Sequence, residues 1–345
     1  MAALLSEIGL RKNYLNDELI ETIYFGGGTP SLLPSKDQGS LIEEIYSAFQ
    51  VSPRAEVTIE TNPDDISLDT LKNWKEMGIN RLSIGVQSFY EEDLKWMNRA
   101  HNADQALNSL QWAAKLFNNI TVDLIYGTPL MSNDKWKRNV ERAISLGVPH
   151  LSCYALTVEP KTPLYKLIKE QKVASIDPGE QSEQFLSLMQ WMEDAGYEHY
   201  EISNFAKTGF RSRHNSSYWN GQKYLGLGPS AHSFNGSSRQ WNVSNNNVYI
   251  NSMKKGIIPH EKEILSATQQ LNEYIMISLR TTEGLDLNKV ENVIGDELRA
   301  VSKKFIERGL IIEENDQLKL TKNGKLLADG IAADLFFEEP KVILR

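Results

Sequence analysis

A rhythm running from residue 22 to residue 156 constrains the fold most: a short β-branched run, a turn, then an amphipathic helical stretch, repeated. The runs at 22–25, 57–60, 81–87, 121–126 and 150–156 read as strands. Between the first two, Leu41, Ile42, Ile45, Ala48 and Phe49 fall on one helical face. The same spacing predicts helices over 68–77, 103–117 and 135–146, with stops at Gly78, Asn118 and Gly147. Strands alternating with helices imply a parallel sheet, because parallel neighbours need crossover connections. A barrel and an open doubly wound sheet both satisfy that pattern. Leu4, Leu5 and Ile8 already read as a helix, so the chain enters the rhythm midway. A strand and loop upstream of Met1 are therefore expected to be missing.

At 345 residues there is room for one large domain and one or two smaller ones. No stretch approaches the roughly 20 apolar residues of a membrane span. The first residues lack the basic flank and long apolar run of a signal peptide. The one cysteine, Cys153, excludes internal disulfides and any multi-cysteine metal site within this chain. A cytoplasmic protein is expected. A net charge of −8 argues against nonspecific nucleic-acid binding, which neutralises phosphates with Lys and Arg. From about 196 to 244 the sequence turns rich in aromatics, Asn, Ser and Gly. Helical patterning returns after Glu263, and 309–320 reads as a small hairpin, which together predict a winged-helix-like end module. Its Lys303, Lys304, Arg308, Lys319, Lys322 and Lys325 are interrupted by Glu307, Glu313, Glu314 and Asp316, so DNA binding is the weaker reading of it.

Strands of a buried parallel sheet should be nearly continuous apolar runs. Four polar exceptions fall mostly near strand C-termini, where parallel α/β folds bind ligands. The first strand runs into Gly26-Gly27-Gly28-Thr29-Pro30, the second ends in Glu60, the third in Gln87, and the fourth carries Asp123. A buried carboxylate is costly unless paired. Either Lys and Arg supply the partners in a structural network, or a ligand with hydroxyl and amino groups does. Glycines let backbone approach a ligand closely and adopt positive φ. A phosphate loop would require Gly-Lys-Ser/Thr, where Thr29-Pro30 stands instead, and the Rossmann glycine spacing is also absent.

Tyr24-Phe25-Gly26-Gly27-Gly28-Thr29-Pro30-Ser31 resembles the glycine-rich motif of radical S-adenosylmethionine (SAM) proteins, in the form found in oxygen-independent coproporphyrinogen III oxidases and their relatives. Four further segments match in order: Thr58-Ile59-Glu60-Thr61-Asn62-Pro63, Leu82-Ser83-Ile84-Gly85-Val86-Gln87-Ser88-Phe89, Asn98-Arg99-Ala100-His101 and Val122-Asp123-Leu124-Ile125-Tyr126-Gly127-Thr128-Pro129. Gly226-Leu227-Gly228-Pro229-Ser230-Ala231-His232-Ser233 is another familiar stretch, and His214-Asn215-Ser216-Ser217-Tyr218-Trp219 is similar to the HNxxYW signature of the HemW haem chaperones.

The resemblance implies a partial parallel (β/α)6 barrel of radical SAM type, its first strand missing, with a C-terminal winged-helix-like α+β module. It divides the chain into a partial barrel at 1–160, a barrel extension with an aromatic, His-rich haem-binding region at 161–262, and an end module at 263–345. It implies a protein that binds SAM and haem and passes haem to apoproteins. The alternative is an oxygen-independent coproporphyrinogen III oxidase, forming protoporphyrinogen IX by oxidative decarboxylation. Carried over by motif, Gly27, Gly28 and Thr29 contact the amino-acid end of SAM. Glu60, Gln87, Arg99 and Asp123 contact its polar groups, and Ala155 lies by the adenine. The forked guanidinium of Arg99 suits the SAM carboxylate. Haem would fall to His214, Asn215, Tyr218 and Trp219, in a segment whose Asn and Ser content predicts an irregular loop. His232 is a weaker candidate, for the SAM pocket or for a hydrogen bond in the core.

The family also implies a [4Fe–4S] cluster held by three cysteines spaced C-x-x-x-C-x-x-C, and that motif is not in this sequence. Cys153 reads as a small core residue. The expectation is a truncated or mis-started version of a longer protein, unable as it stands to assemble the cluster or cleave SAM reductively. In-frame upstream codons for cysteines at that spacing would bear this out, and a stop codon just before Met1 would sink it.

Overall fold

The computed structural model describes residues 1–129 and 131–338. In chain order the elements begin with α1 (Ala2–Arg11), β1 (Ile20–Phe25), α2 (Ser35–Ala48), β2 (Val51–Thr61) and α3 (Leu68–Glu76). Next come β3 (Arg81–Gln87), α4 (Glu91–Trp96), α5 (Ala103–Leu116), β4 (Ile120–Tyr126), α6 (Asn133–Ser145) and β5 (His150–Ala155). Then follow α7 (Pro163–Lys169), α8 (Pro178–Asp194), β6 (Glu198–Glu201), β7 (Asn204–Ala206) and α9 (Arg213–Trp219). After β8 (His232–Phe234), β9 (Ser238–Asn242), α10 (Asn246–Met253) and β10 (His260–Ile264), the chain continues with α11 (Ala267–Leu279), β11 (Leu285–Asp286), α12 (Asn292–Glu307), β12 (Ile311–Glu314) and β13 (Gln317–Leu320).

The main sheet runs β1-β2-β3-β4-β5-β7-β6. Strands β2 to β5 are parallel to their neighbours, and β7 and β6 join antiparallel. The first five strands stand side by side in sequence order, with no reversal. A doubly wound sheet reverses its order at a switch point and a barrel does not, so the winding is that of a partial barrel. All five expected strands are present. The β6–β7 hairpin has no counterpart among the expected strands: it falls in the aromatic-, Asn-, Ser- and Gly-rich stretch, and strands of four and three residues are too short to alternate visibly.

The chain divides into two compact units, one of residues 24–32 and 57–211, the other of residues 1–23, 33–56 and from Ser212 onward. In the first unit the strands alternate between two environments. Ile59, Leu82, Ile84, Val122, Leu124, Leu151 and Cys153 form a buried apolar face, so Cys153 is the core residue expected of it. On the other face, register aligns Glu60 with Ser83, Ser83 with Thr121, and Thr121 with His150. Asp123, Ser152 and Asn204 form the next row. This lining is polar and hydrogen-bonded: Arg81 donates to Thr121, whose hydroxyl lies 3.0 Å from His150 Nδ1, and His150 Nε2 lies 2.8 Å from the Tyr200 hydroxyl. Burial holds the His150 imidazole well below its ordinary pKa, with the Arg81 charge acting in the same direction.

The second unit contains the β10-β9-β8 sheet and the three-stranded β11-β13-β12 sheet. The expected hairpin is β12–β13, turning at Asn315 and Asp316, whose φ values of 52° and 61° belong to a primed turn. Glu7 of α1 is fully buried and is a polar node. It accepts from Gly228 N (2.8 Å), Asn242 Nδ2 (2.7 Å) and the Tyr249 hydroxyl (2.6 Å), with Arg11 Nε at 3.7 Å. Arg11 in turn donates to Gln240 and Asn242. No helix among the described residues is long and apolar enough to cross a membrane.

Candidate functional site

The glycine loop leaves β1 and closes on the end of β2. The Tyr24 hydroxyl donates to Glu60 Oε1 at 2.8 Å, and Gly27 N donates to Oε2 at 3.2 Å. A Cβ on Gly26 would stand 2.6 Å from Tyr24 Cε1 and 3.0 Å from Glu60 Oε1, so only glycine lets the loop approach this closely. At Gly27, with φ of 103°, and at Gly28 a Cβ would meet nothing within 4 Å. Here the backbone faces open space. Thr29 anchors the exit, its carbonyl accepting from Leu32 N at 3.0 Å. Burial, reinforced by the Glu60 charge, pushes the Tyr24 phenol well above its usual range, so it remains a donor.

A second cluster forms at the end of β3. The β3–β4 register shifts between Ile84 and Gln87, and Gln87 takes a φ of 66°. Arg99 follows α4 and gives Nη2 to Asn62 Oδ1 at 2.6 Å. A Cβ on Gly85 would lie 2.9 Å from Gln87 Nε2 and 3.5 Å from both Arg99 Nη2 and Asn62 Oδ1, so three polar groups converge on one bare backbone position. Arg99 is half-buried, and among the described residues its buried Nε has no hydrogen-bond partner. That orphaned donor is an observation in favour of an anionic ligand group. His101, buried two residues on, bonds the Val86 carbonyl at 3.0 Å and ties the Arg99 segment to β3.

Asp123 keeps intermediate exposure, yet the protein around it is dense. Burial pushes its carboxyl up to about 7, the Glu60 charge adds to this, and the Ser152 and Ser83 hydroxyls and Arg81 oppose it. An acid whose pKa is raised by folding stabilises the fold below its unfolded value, near 3.9, and loses that contribution as pH climbs through the folded one. Asp123 is therefore expected to contribute a loss of stability to the ligand-free chain between about pH 4 and about 7. Asp123→Asn should flatten that slope in denaturant titrations, and an unchanged slope would refute the assignment. Ala155 closes β5 opposite Tyr126. Strand alternation turns its Cβ away from the face of Asp123 and Ser152, so it offers that side only backbone.

The segment expected to be an irregular loop is helix α9. Ser212 caps it by accepting from Asn215 N at 3.2 Å. The buried carboxylate of Glu56, from β2, accepts from Arg213 N (3.2 Å) and His214 N (3.0 Å). A negative charge on the free amides of a helix start compensates for the poor helix propensity of Asn and Ser. His214 and Tyr218 are four residues apart on one helical face. His214 Nδ1 lies 2.9 Å from Thr22 Oγ1, and Nε2 lies 3.2 Å from the Tyr218 hydroxyl. The Tyr218 ring meets Tyr224 edge-on at 4.8 Å. The Arg280 guanidinium sits 5.4 Å from the Trp219 ring centroid, and among the described residues the buried Trp219 Nε1 has no partner. His232 is exposed on β8 beside Trp241, which removes the core role considered for it.

The glycine loop, Glu60, Gln87, Arg99, Asp123 and Ala155 all belong to the first unit, and His214, Asn215, Tyr218 and Trp219 to the second. Sequence reasoning passed over Tyr24, Asn62, Glu56 and Thr22, the residues that orient them. Tyr24 and Asn62 stand within the quoted motifs; Glu56 and Thr22 carry no local signal. A surface cavity of about 280 Å³ lies elsewhere, lined by residues such as Lys12, Asp17, Glu18 and Gln50. Among the described residues no group of three or more His, Cys, Asp or Glu could hold a metal, and Cys153 is shut inside the sheet. The residues present do not fit an iron–sulfur cluster.

Residues 10–143 match the Radical SAM superfamily, and residues 265–327 match the HemN C-terminal domain. The fold is similar to that of coproporphyrinogen III oxidase (HemN) from Escherichia coli, a radical SAM enzyme, with a TM-score of 0.82 at 22% identity over 97% of this chain and 82% of that one. The architecture is thus that of a radical SAM protein. Heme chaperone HemW of Bacillus subtilis (strain 168) is 34% identical over 319 residues, spanning 90% of this chain and 84% of the relative. Heme chaperone HemW of Mycobacterium tuberculosis (strain H37Rv) is 33% identical over 337 residues, spanning 97% and 85%. The chain belongs to the HemW family.

Proposed function

We propose that this chain is a haem chaperone that binds SAM on its partial barrel, carries haem at α9, and delivers it to apoproteins in the cytoplasm. SAM is a cationic sulfonium nucleoside with amino, carboxyl and ribose groups, and the chain's part is to bind and orient it. Gly27, Gly28 and Thr29 offer open backbone to its amino-acid end. Glu60 supplies charge for its cationic group, Asp123 offers a carboxyl to its hydroxyl groups, Arg99 answers its carboxylate, Gln87 adds amide hydrogen bonds, and Ala155 gives backbone to the adenine. Since the residues do not fit a cluster, no electron-transfer step is assigned to them.

Haem is the cargo, and His214 would hold its iron through an imidazole that meets Thr22 at Nδ1 and the Tyr218 hydroxyl at Nε2. Asn215, Tyr218 and Trp219 line the same short helix. The observation that carries this reading is the half-buried His214 ring held at Nδ1 by Thr22. It favours haem carriage over coproporphyrinogen oxidation, for which a ligand on α9 has no evident use. Titrating the full chain with ferric haem should give a Soret band, and His214→Ala should weaken binding by about 10- to 100-fold. An unchanged band and affinity in that variant would dispose of the reading.

A further inference from the structure

Both ring nitrogens of His214 are engaged, and this matters for any metal that it would take. A neutral imidazole has one N–H and one lone pair. The two hydrogen bonds therefore divide into one that the ring donates and one that it accepts. The two partners differ in setting. Thr22 is half-buried within β1, a sheet strand, whereas Tyr218 is 38% exposed on the short helix α9. Tyr218 is also the residue that its own χ angles can move without disturbing a strand. Of the two ring nitrogens, Nε2 is the one that meets the more exposed partner.

We propose that Thr22 and Tyr218 are opposed positioning residues for His214: Thr22 accepts Nδ1–H and so fixes Nε2 as the ligand atom, and Tyr218 caps Nε2 until haem displaces it. The inference rests on the haem reading and adds to it a tautomer, a ligand atom and a displaceable cap. In the capped state the Tyr218 O–H donates to the Nε2 lone pair. On loading, that hydrogen bond breaks and the lone pair passes to iron. The phenol keeps its proton, and the Nδ1 proton stays with Thr22. The edge-on contact of the Tyr218 and Tyr224 rings gives the departing phenol an aromatic neighbour to repack against.

The two residues make predictions of opposite sign. Tyr218→Phe keeps the ring and removes the cap, so ferric haem should bind about three- to tenfold more tightly and associate faster in stopped-flow. Thr22→Val keeps the shape and removes the anchor, so affinity should fall about tenfold, and Thr22→Ser should restore it. His214→Ala in the same titration separates the two levels of the argument. If His214→Ala binds haem like the parent, the haem reading itself falls. If His214→Ala is impaired but Tyr218→Phe is no tighter than the parent, or Thr22→Val no weaker, the reading stands and the cap-and-anchor inference is overturned. A general packing role for Tyr218 would weaken binding in the Phe variant or leave it alone. Only a competing hydrogen bond at Nε2 makes it stronger.

Discussion

Glu60→Gln is expected to lower the affinity for SAM by about 100-fold, roughly 2–3 kcal/mol. The carboxylate is held in place from two sides, by Tyr24 on Oε1 and by Gly27 N on Oε2, before any ligand arrives. Its remaining lone pairs are therefore already oriented. The substitution keeps the shape of the side chain but takes away the charge that a cationic ligand would meet. It also makes half of the group a donor. With the amide oxygen towards Tyr24, the amide nitrogen faces the Gly27 N–H, and donor meets donor. Loop and ligand thus lose together. Equilibrium dialysis or calorimetry with SAM would measure the change, with circular dichroism to show that the fold persists. A dissociation constant within threefold of the parent's would remove Glu60 from the site.

The largest effect on stability should come from Glu7→Ala, which is expected to cost about 3–5 kcal/mol. Nothing in the immediate sequence marks this glutamate as special, yet it is fully buried and accepts three hydrogen bonds. Truncation takes the acceptor from the Gly228 amide, from one N–H of Asn242 and from the Tyr249 hydroxyl, and leaves the Arg11 charge without its carboxylate. Each loss is worth about 1–3 kcal/mol in isolation, and they do not add, because relaxation and water entry recover part. Tyr249→Phe removes a single donor and should cost about 1.5–3 kcal/mol. Chemical denaturation would read both, as a lower midpoint at unchanged slope. A loss below about 1 kcal/mol for Glu7→Ala would mean that the network is solvated in solution and does not anchor α1.

What the sequence discloses depends on how locally each feature is determined. The five barrel strands are legible because each is a β-branched run bounded by turn residues. The helices between them are legible because their apolar faces repeat and because Gly78 and Gly147 end them at positive φ. Glu60 and Asp123 stand out because carboxylates are rare in such runs. Ser83, Thr121, His150 and Ser152 line the same face but pass as ordinary strand residues, since alternation hides a polar lining among apolar neighbours. Helix α9 is invisible for another reason: Asn and Ser argue against a helix, and the carboxylate that caps it comes from Glu56, 158 residues away. The hairpin of β6 and β7 escapes because strands of four and three residues are too short to display a period.

That distant capping bears on how far the hexapeptide 214–219 could serve outside its own fold. The motif supplies an imidazole, a phenol and an indole, but not their aim. The angle at which His214 stands is imposed by two foreign side chains, Glu56 on the backbone and Thr22 on the ring, the second 192 residues away. Grafted onto another scaffold, the six residues would bring their chemistry without their bearings, behaving as a flexible peptide with a histidine in it. A designer wishing to transplant this arrangement of side chains must move a strand and a half along with it.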